Sequence, residues 1–250
     1  MKLVLPFSSA RGFSLIEMAV VILVITILLA IVAVPLTTQV ESRRIDETQK
    51  KLEVIREALY GFALTRGRLP RPASSATNGN ENPNPCTTNA TCTGFIPWIT
   101  LGIDRADAWG NIYRYSVTPE FSAAVPGGAN AAFALTATGK NVIRTRDAAG
   151  IEVTLADQVP AVLWSHGPQN HGTDALTANA RPSPSLTNTD EQRNNTLMVD
   201  ATPCTLAGIC VVSRNPSTNT TQTGGEFDDM VVWLSTNILF SRMVQAGKLP

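Results

Sequence analysis

Histidine is nearly absent from this sequence, and so is any imbalance of charge. Only two of the 250 residues are histidine, His166 and His171, five apart in one loop. A general-base role would need a reacting group beside one of them. No nucleophile stands near and no second catalytic motif supports one, so the pair reads as loop histidines rather than as an active site. Lysine and arginine number 20, as do aspartate and glutamate. With no basic excess, nothing points to nucleic acid. Aromatics make up 6% of the chain. Asn, Thr, Ser, Pro and Gly are abundant, as in a loop-rich extracellular β protein.

Charge is scarcest near the N-terminus. Between Phe13 and Val40 the only charged residue is Glu17, and from Met18 to Leu36 the only polar side chain is Thr26. An apolar core of about 30 Å takes roughly twenty helical residues to cross. The run is Leu, Ile, Val and Ala on every side, with Pro35 near its end. Lys2 and Arg11 precede it, which favours a cytoplasmic N-terminus and an outside location for everything that follows. The run is too long for the apolar region of an ordinary secretory signal. A conventional cut after Ala33 would also place Ile31 where a small residue is needed. Glu17 is then the anomaly, because a carboxylate at the edge of a bilayer helix is costly without a partner.

Cysteine is limited to four residues, in two local pairs, Cys86 with Cys92 and Cys204 with Cys210. Outside the cytoplasm these read as short disulfide loops. Four cysteines allow three pairings, between which sequence does not choose; local pairing is the expectation. Zinc is the alternative, and it has only the two histidines to draw on, neither beside a cysteine.

Gly12-Phe13-Ser14-Leu15-Ile16-Glu17, followed by the apolar run, resembles the leader junction of type IV pilins and type II secretion pseudopilins. The resemblance implies a cut by prepilin peptidase between Gly12 and Phe13 and N-methylation of Phe13. Residues 1–12 would be the leader; removing 12 from 250 leaves 238. It also supplies a partner for Glu17, the cationic α-amine of Phe13 on a neighbouring subunit. Low dielectric strengthens such a pair, and an unpaired member is penalised, so the contact would set the register of adjacent helices. Pro35 lies one residue later than is usual in that family, and Thr26 stands where glycine is common. The alternative is a plain signal anchor that carries a glutamate.

Beyond residue 38 the helix is expected to continue amphipathically over 39–67. Ile45, Leu52, Ile55, Leu59, Phe62 and Ala63 recur at three- and four-residue steps, and Gly67 with Leu69-Pro70 forms a stop. Residues 70–95 read as a long surface loop. Asp107-Ala108-Trp109-Gly110-Asn111 reads as a turn leading into the strand formers Ile112, Tyr113, Tyr115 and Val117. The turn resembles the D-P-W-G-N-x-Y element of major pseudopilins, with Ala108 in place of proline. Strands are expected at Phe133–Thr138, Val142–Arg144, Ile151–Leu155, Leu197–Val199 and Ile209–Val212. A further strand from Val162 ends in Ser165-His166-Gly167-Pro168. Residues 174–225 read as a polar insertion, and the tail from Val231 as a strand followed by a helix capped by Ser235 or Thr236.

Ser165-His166-Gly167-Pro168 and Asp228-Asp229-Met230-Val231-Val232-Trp233 are similar to the two segments that hold calcium in major pseudopilins. The resemblance implies Leu163, Ser165, Asp228 and Asp229 as ligands. Gln169 replaces the aspartate expected there, and fewer anionic oxygens weaken such a site.

The fold expected is α+β: a long N-terminal transmembrane and amphipathic helix (13–38, then 39–67) packed on a mainly antiparallel sheet. The domain over 68–250 would be periplasmic and pilin-like. The function the resemblance implies is that of a structural filament subunit rather than an enzyme. Its partners would be prepilin peptidase, copies of itself and other pilin-like subunits, an inner-membrane assembly platform and membrane lipid. A membrane-anchored hydrolase or ligand-binding module that keeps residues 1–12 is the rival reading.

Overall fold

The computed structural model describes residues 12–169, 171–196 and 208–250, with the backbone alone over 29–37. Helix α1 runs over Leu15–Arg66. Its first part is apolar all round, and the side chains described there are uncovered: Phe13 is 76% exposed and Leu15 92%. Among the described residues no helix is long and apolar enough to cross a membrane. The expected span of 13–38 includes 29–37, whose side chains lie outside the described residues. Residues 12–44 form one compact unit and 45–250 another.

In the second unit α1 buries one stripe, made of Thr48, Leu52, Ile55, Leu59, Tyr60 and Ala63. The spacing of three and four is that of one helix face. Two residues expected on this face lie off it. Ile45 is exposed, and Phe62 is partly covered beneath the Arg68 guanidinium, 5.4 Å from its ring centroid. Gly67 ends the helix with φ +71°, a conformation that favours glycine.

The stripe packs on a four-stranded sheet of β1 (Thr93–Phe95), β2 (Arg114–Val117), β5 (Ala161–Ser165) and β7 (Met230–Trp233), in that order and antiparallel throughout. Between β1 and β2 lies the short helix α2 (Trp98–Leu101), and after β2 comes α3 (Pro119–Ser122). A second sheet holds β4 (Glu152–Val159), β3 (Asn141–Arg146) and β6 (Cys210–Val212); β3 pairs antiparallel with β4 and parallel with β6. Helix α4 covers Thr189–Thr196 and α5 covers Thr236–Gln245.

Strand alternation divides the apolar residues between two cores. Tyr115, Ala161, Leu163 and Val232 join Leu52, Ile55 and Leu59 of α1 with Leu239 and Met243 of α5. Val162 and Trp164 face the other way and pack with Ile143, Val159, Ile209 and Val211 of the second sheet, with Val231 and Trp233 beside them. The first sheet is therefore a middle layer, with helices on one face and the second sheet on the other. Strand β4 reaches β5 through a sharp corner at Gln158, which has φ +50°.

Several expectations need correction. Phe133–Thr138 is not a strand. Ala137 donates to the Ala134 carbonyl in a turn, and Phe133 serves as a single anchor, its ring centroid 4.6 Å from that of Phe121. The loop 70–95 is not simply superficial. Ala73 is buried and bonds Phe95, and the segment ends in β1. Within the polar stretch 174–225 the strand expected at Ile209–Val212 is present as β6, and α4 lies there as well. The expected strand at Leu197–Val199 lies outside the described residues. Cys86 and Cys92 form a disulfide with Cα atoms 5.1 Å apart. Cys210 is also disulfide-bonded, while Cys204 lies outside the described residues. No described cysteine is free.

Candidate functional site

The start of α1 is built by its own side chains. The Glu17 backbone N–H donates to Ser14 Oγ (3.2 Å), and the Ser14 N–H faces Glu17 Oε2 at 3.5 Å. Ser14 and Glu17 thus form a reciprocal capping box, which meets two of the N–H groups that every helix start leaves open. The S-x-x-E spacing that signals such a box lies within the cleavage motif itself. Gly12 and Phe13 precede the first helical turn as exposed residues outside regular structure. Thr26 donates its hydroxyl to the Leu23 carbonyl (2.8 Å), so the one polar side chain of the apolar run is satisfied within the helix.

The two motifs read in the domain meet in one network. Asp107 is buried, and its Oδ1 accepts the N–H groups of Trp109 (2.9 Å) and Asn111 (2.8 Å). Its Oδ2 accepts the Ser165 hydroxyl at 2.6 Å and the Asn111 side-chain amide at 3.3 Å. The Asn111 amide also donates to the Gly167 carbonyl (3.1 Å). The Asp107–Asn111 turn and the Ser165–Pro168 loop therefore hold each other, and Asp107 is a buried carboxylate satisfied entirely by neutral donors.

Beyond that network lies an acidic cluster that sequence reading only half resolved. Asp229 Oδ1 meets His166 Nδ1 at 3.3 Å, and its Oδ2 accepts the Asn194 amide at 2.7 Å. Asn194 also brackets Val212, donating to its carbonyl (2.9 Å) and accepting its N–H (2.8 Å). Glu191 Oε1 accepts the Asp228 backbone N–H (2.9 Å), and Asp228 Oδ2 accepts the N–H of Gln169 (2.7 Å). Burial is the main cause that pushes both carboxyls up; the contact with Glu191 and the charge of Asp229 add to the rise at Asp228, while at Glu191 the charge of Asp229 adds to it and the hydrogen bonds with Asp228 oppose it. Next to Glu191 on α4, Asp190 takes Arg146 Nη2 at 2.6 Å and Arg214 Nε at 2.8 Å. Asp190, Glu191 and Asn194 went unmarked as site residues because their helix is polar on every side. The signal lies only in what surrounds them.

The four residues expected to hold calcium are placed as follows. Leu163 lies on β5, paired on both sides, so its carbonyl belongs to the ladder. The Ser165 hydroxyl donates to Asp107. Both oxygens of Asp229 are engaged, and only Asp228 Oδ1 lacks a partner. A calcium ion asks for six to eight converging oxygens. The residues as placed do not fit it, and among the described residues no group of three or more His, Cys, Asp and Glu side chains is arranged to hold a metal ion.

The histidines are placed equally clearly. His166 is buried against Asp229, and His171 Nδ1 lies 2.7 Å from the Pro182 carbonyl. Ser165, though adjacent to His166 in sequence, directs its hydroxyl to Asp107, so the two do not form a nucleophile–base pair.

Comparison with known proteins bears on the N-terminus. No curated protein and no solved structure matches the chain. Residues 7–33, which contain Gly12, Phe13 and Glu17, match the model of the prokaryotic N-terminal methylation motif; that motif, with a mixed α+β domain behind a long N-terminal helix, supports a likeness to the type IV pilin and pseudopilin family of structural proteins.

Proposed function

We propose that this chain is a pilin-like filament subunit, cut by prepilin peptidase between Gly12 and Phe13 and N-methylated at Phe13. The observation that carries the reading is the methylation-motif match over residues 7–33. The helix that follows, whose apolar side chains over 13–28 have no cover in the isolated chain, supports it. Residues 13–38 would anchor the subunit in the inner membrane, N-terminus inside and domain in the periplasm. Assembly would then transfer that helix from lipid to a bundle of like helices, driven by an inner-membrane platform. In the bundle the Glu17 carboxylate would meet the Phe13 amine of a neighbour. Of the possible machines, a type II secretion pseudopilus is favoured by the Asp107–Asn111 turn and the Ser165–Pro168 loop.

The test is intact mass and N-terminal sequencing of protein from cells with and without prepilin peptidase. The expected product begins at methylated Phe13 only when the peptidase is present. A Met1 start in both strains would overturn the proposal and return the domain to the anchored-module reading.

A further inference from the structure

The face of the four-stranded sheet turned away from α1 carries a cavity that the filament reading does not use. Arg114 on β2 lies opposite Trp164 on β5, and His166 follows two residues later, on the same side of the strand direction. The stretch from Gly172 to Asn195 passes over these residues and leaves a cavity of about 200 Å³, lined by Arg114, His166, Thr173, Arg181, Ser183 and Asn195 among others.

Its polar groups are unbalanced. The Arg114 guanidinium stacks over the Phe95 ring, 4.8 Å from the centroid. Among the described residues it has no carboxylate within 4.0 Å and no hydrogen bond. Burial alone lowers its pKa, to about 10. Arg181 pairs with Asp174 through Nη2 (2.6 Å), yet its Nε is buried without an acceptor. Two nearby carboxylates are already engaged. Asp174 holds Arg181, and Asp229 is held between His166 and Asn194. Among the described residues, no carboxylate lines the cavity. A partly desolvated cation without a counter-ion is unfavourable, and so is a buried N–H without an acceptor. One small anion would relieve both.

We propose that this cavity binds a small oxyanion, held by the Arg114 guanidinium with Arg181 Nε as second donor. A guanidinium offers parallel N–H groups that match two oxygens of a carboxylate, sulfate or phosphate. A water takes about 30 Å³ of liquid, so the cavity has room for such an ion with a few waters and none for a nucleotide or a peptide. The site is independent of filament assembly and holds whether or not residue 13 is methylated.

The test is calorimetric titration of the full chain in detergent with sodium sulfate, sodium phosphate and sodium acetate, at ionic strength fixed by sodium chloride. Saturable binding of at least one of them is expected. Preference for acetate assigns the site to an organic carboxylate, and preference for sulfate or phosphate to an inorganic oxyanion. Arg114→Gln should weaken binding at least tenfold with its melting temperature unchanged or raised, and Arg181→Lys should weaken it less. Should Arg114→Gln fail to fold, Arg114→Lys, which keeps the charge and removes the fork, must show the loss. Equal affinity in folded wild type and variant, or no saturable binding of any of the three ions, would overturn the proposal.

Discussion

The two stretches of α1 show what a helix can hide. Over 13–28, Ser14, Glu17 and Thr26 apart, the side chains are apolar on every side, and they are exposed. Over 45–66 the helix is charged on one side, and Leu52, Ile55, Leu59 and Ala63 are buried on the other. A one-sided stripe can be covered by one sheet of the same chain. An all-round apolar surface cannot, and it needs a surrounding medium, either lipid or other helices. The charge pattern alone separates the part that stabilises the domain from the part left for partners.

The largest expected effect tests that separation directly. Leu59→Ala should destabilise the domain by about 2–5 kcal/mol, the usual cost of such a core cavity, read as a drop in midpoint in denaturant. Leu23→Ala should leave that midpoint unchanged and alter only incorporation into filaments. If both moved the midpoint equally, the two stretches would not differ in role.

Asn194→Ala comes next. It removes the amide that joins α4, β6 and Asp229, and leaves buried Val212 groups without partners. A loss of about 2–3 kcal/mol is expected from such unsatisfied groups, measured by chemical unfolding. A change below experimental error would mean that the layer behind the sheet does not support the face on which α1 rests.

That layer also sets an expected pH dependence. The carboxyls of Asp228 and Glu191 titrate above their ordinary range in the folded chain, at about 8 and about 7. Between the ordinary range and those values the folded chain holds a proton that the unfolded chain releases. The associated stability is therefore full below the ordinary carboxylate pKa and is lost as pH rises through about 7 to 8. Thermal melts across this window should show the decline, and Asp228→Asn should flatten it. A wild-type melting temperature that rises over the window would contradict the assignment.

The smallest effect concerns the exposed ion pair that ties α5 to α1. Arg242 Nη1 lies 2.6 Å from Glu57 Oε2, with both side chains well exposed. Solvent screens such pairs, and Arg242→Ala should cost less than about 1 kcal/mol in a double-mutant cycle with Glu57→Ala. A larger coupling would show that the charged side of the helix contributes to docking as well as the apolar one.

Local pattern and tertiary context divide what the sequence could convey. The stripe at Leu52, Ile55 and Leu59 and the terminal helix were legible from their period and flanking turns, and the strand at Val162 from its resemblance to a known segment, since all five residues of β5 are buried and show no alternation. Even there Ser235 makes no side-chain cap bond. Helix α4 was not legible. Its sequence, TDEQRNNT, has no apolar face; Arg146 and Arg214 hold its buried Asp190, and both come from other elements. Phe133–Thr138 has strand-like composition, but only Phe133 of the segment is buried, and a single anchor does not make a ladder. For the site, Gly12, Phe13 and Glu17 could be marked from a contiguous motif. The joining of Asp107 to Ser165 spans 58 positions, a distance at which spacing says nothing about contact.

The capping box at the head of α1 has a kinetic consequence. Glu17 Oε2 already faces the N–H of Ser14, one residue from the amine that cleavage would expose on Phe13. A processed chain would thus carry its own competitor for the contact that the filament needs. Under the proposed assembly, Glu17 would have to let go of its own chain before it could engage a neighbour, so the internal contact would act as a brake on subunits not yet in a filament.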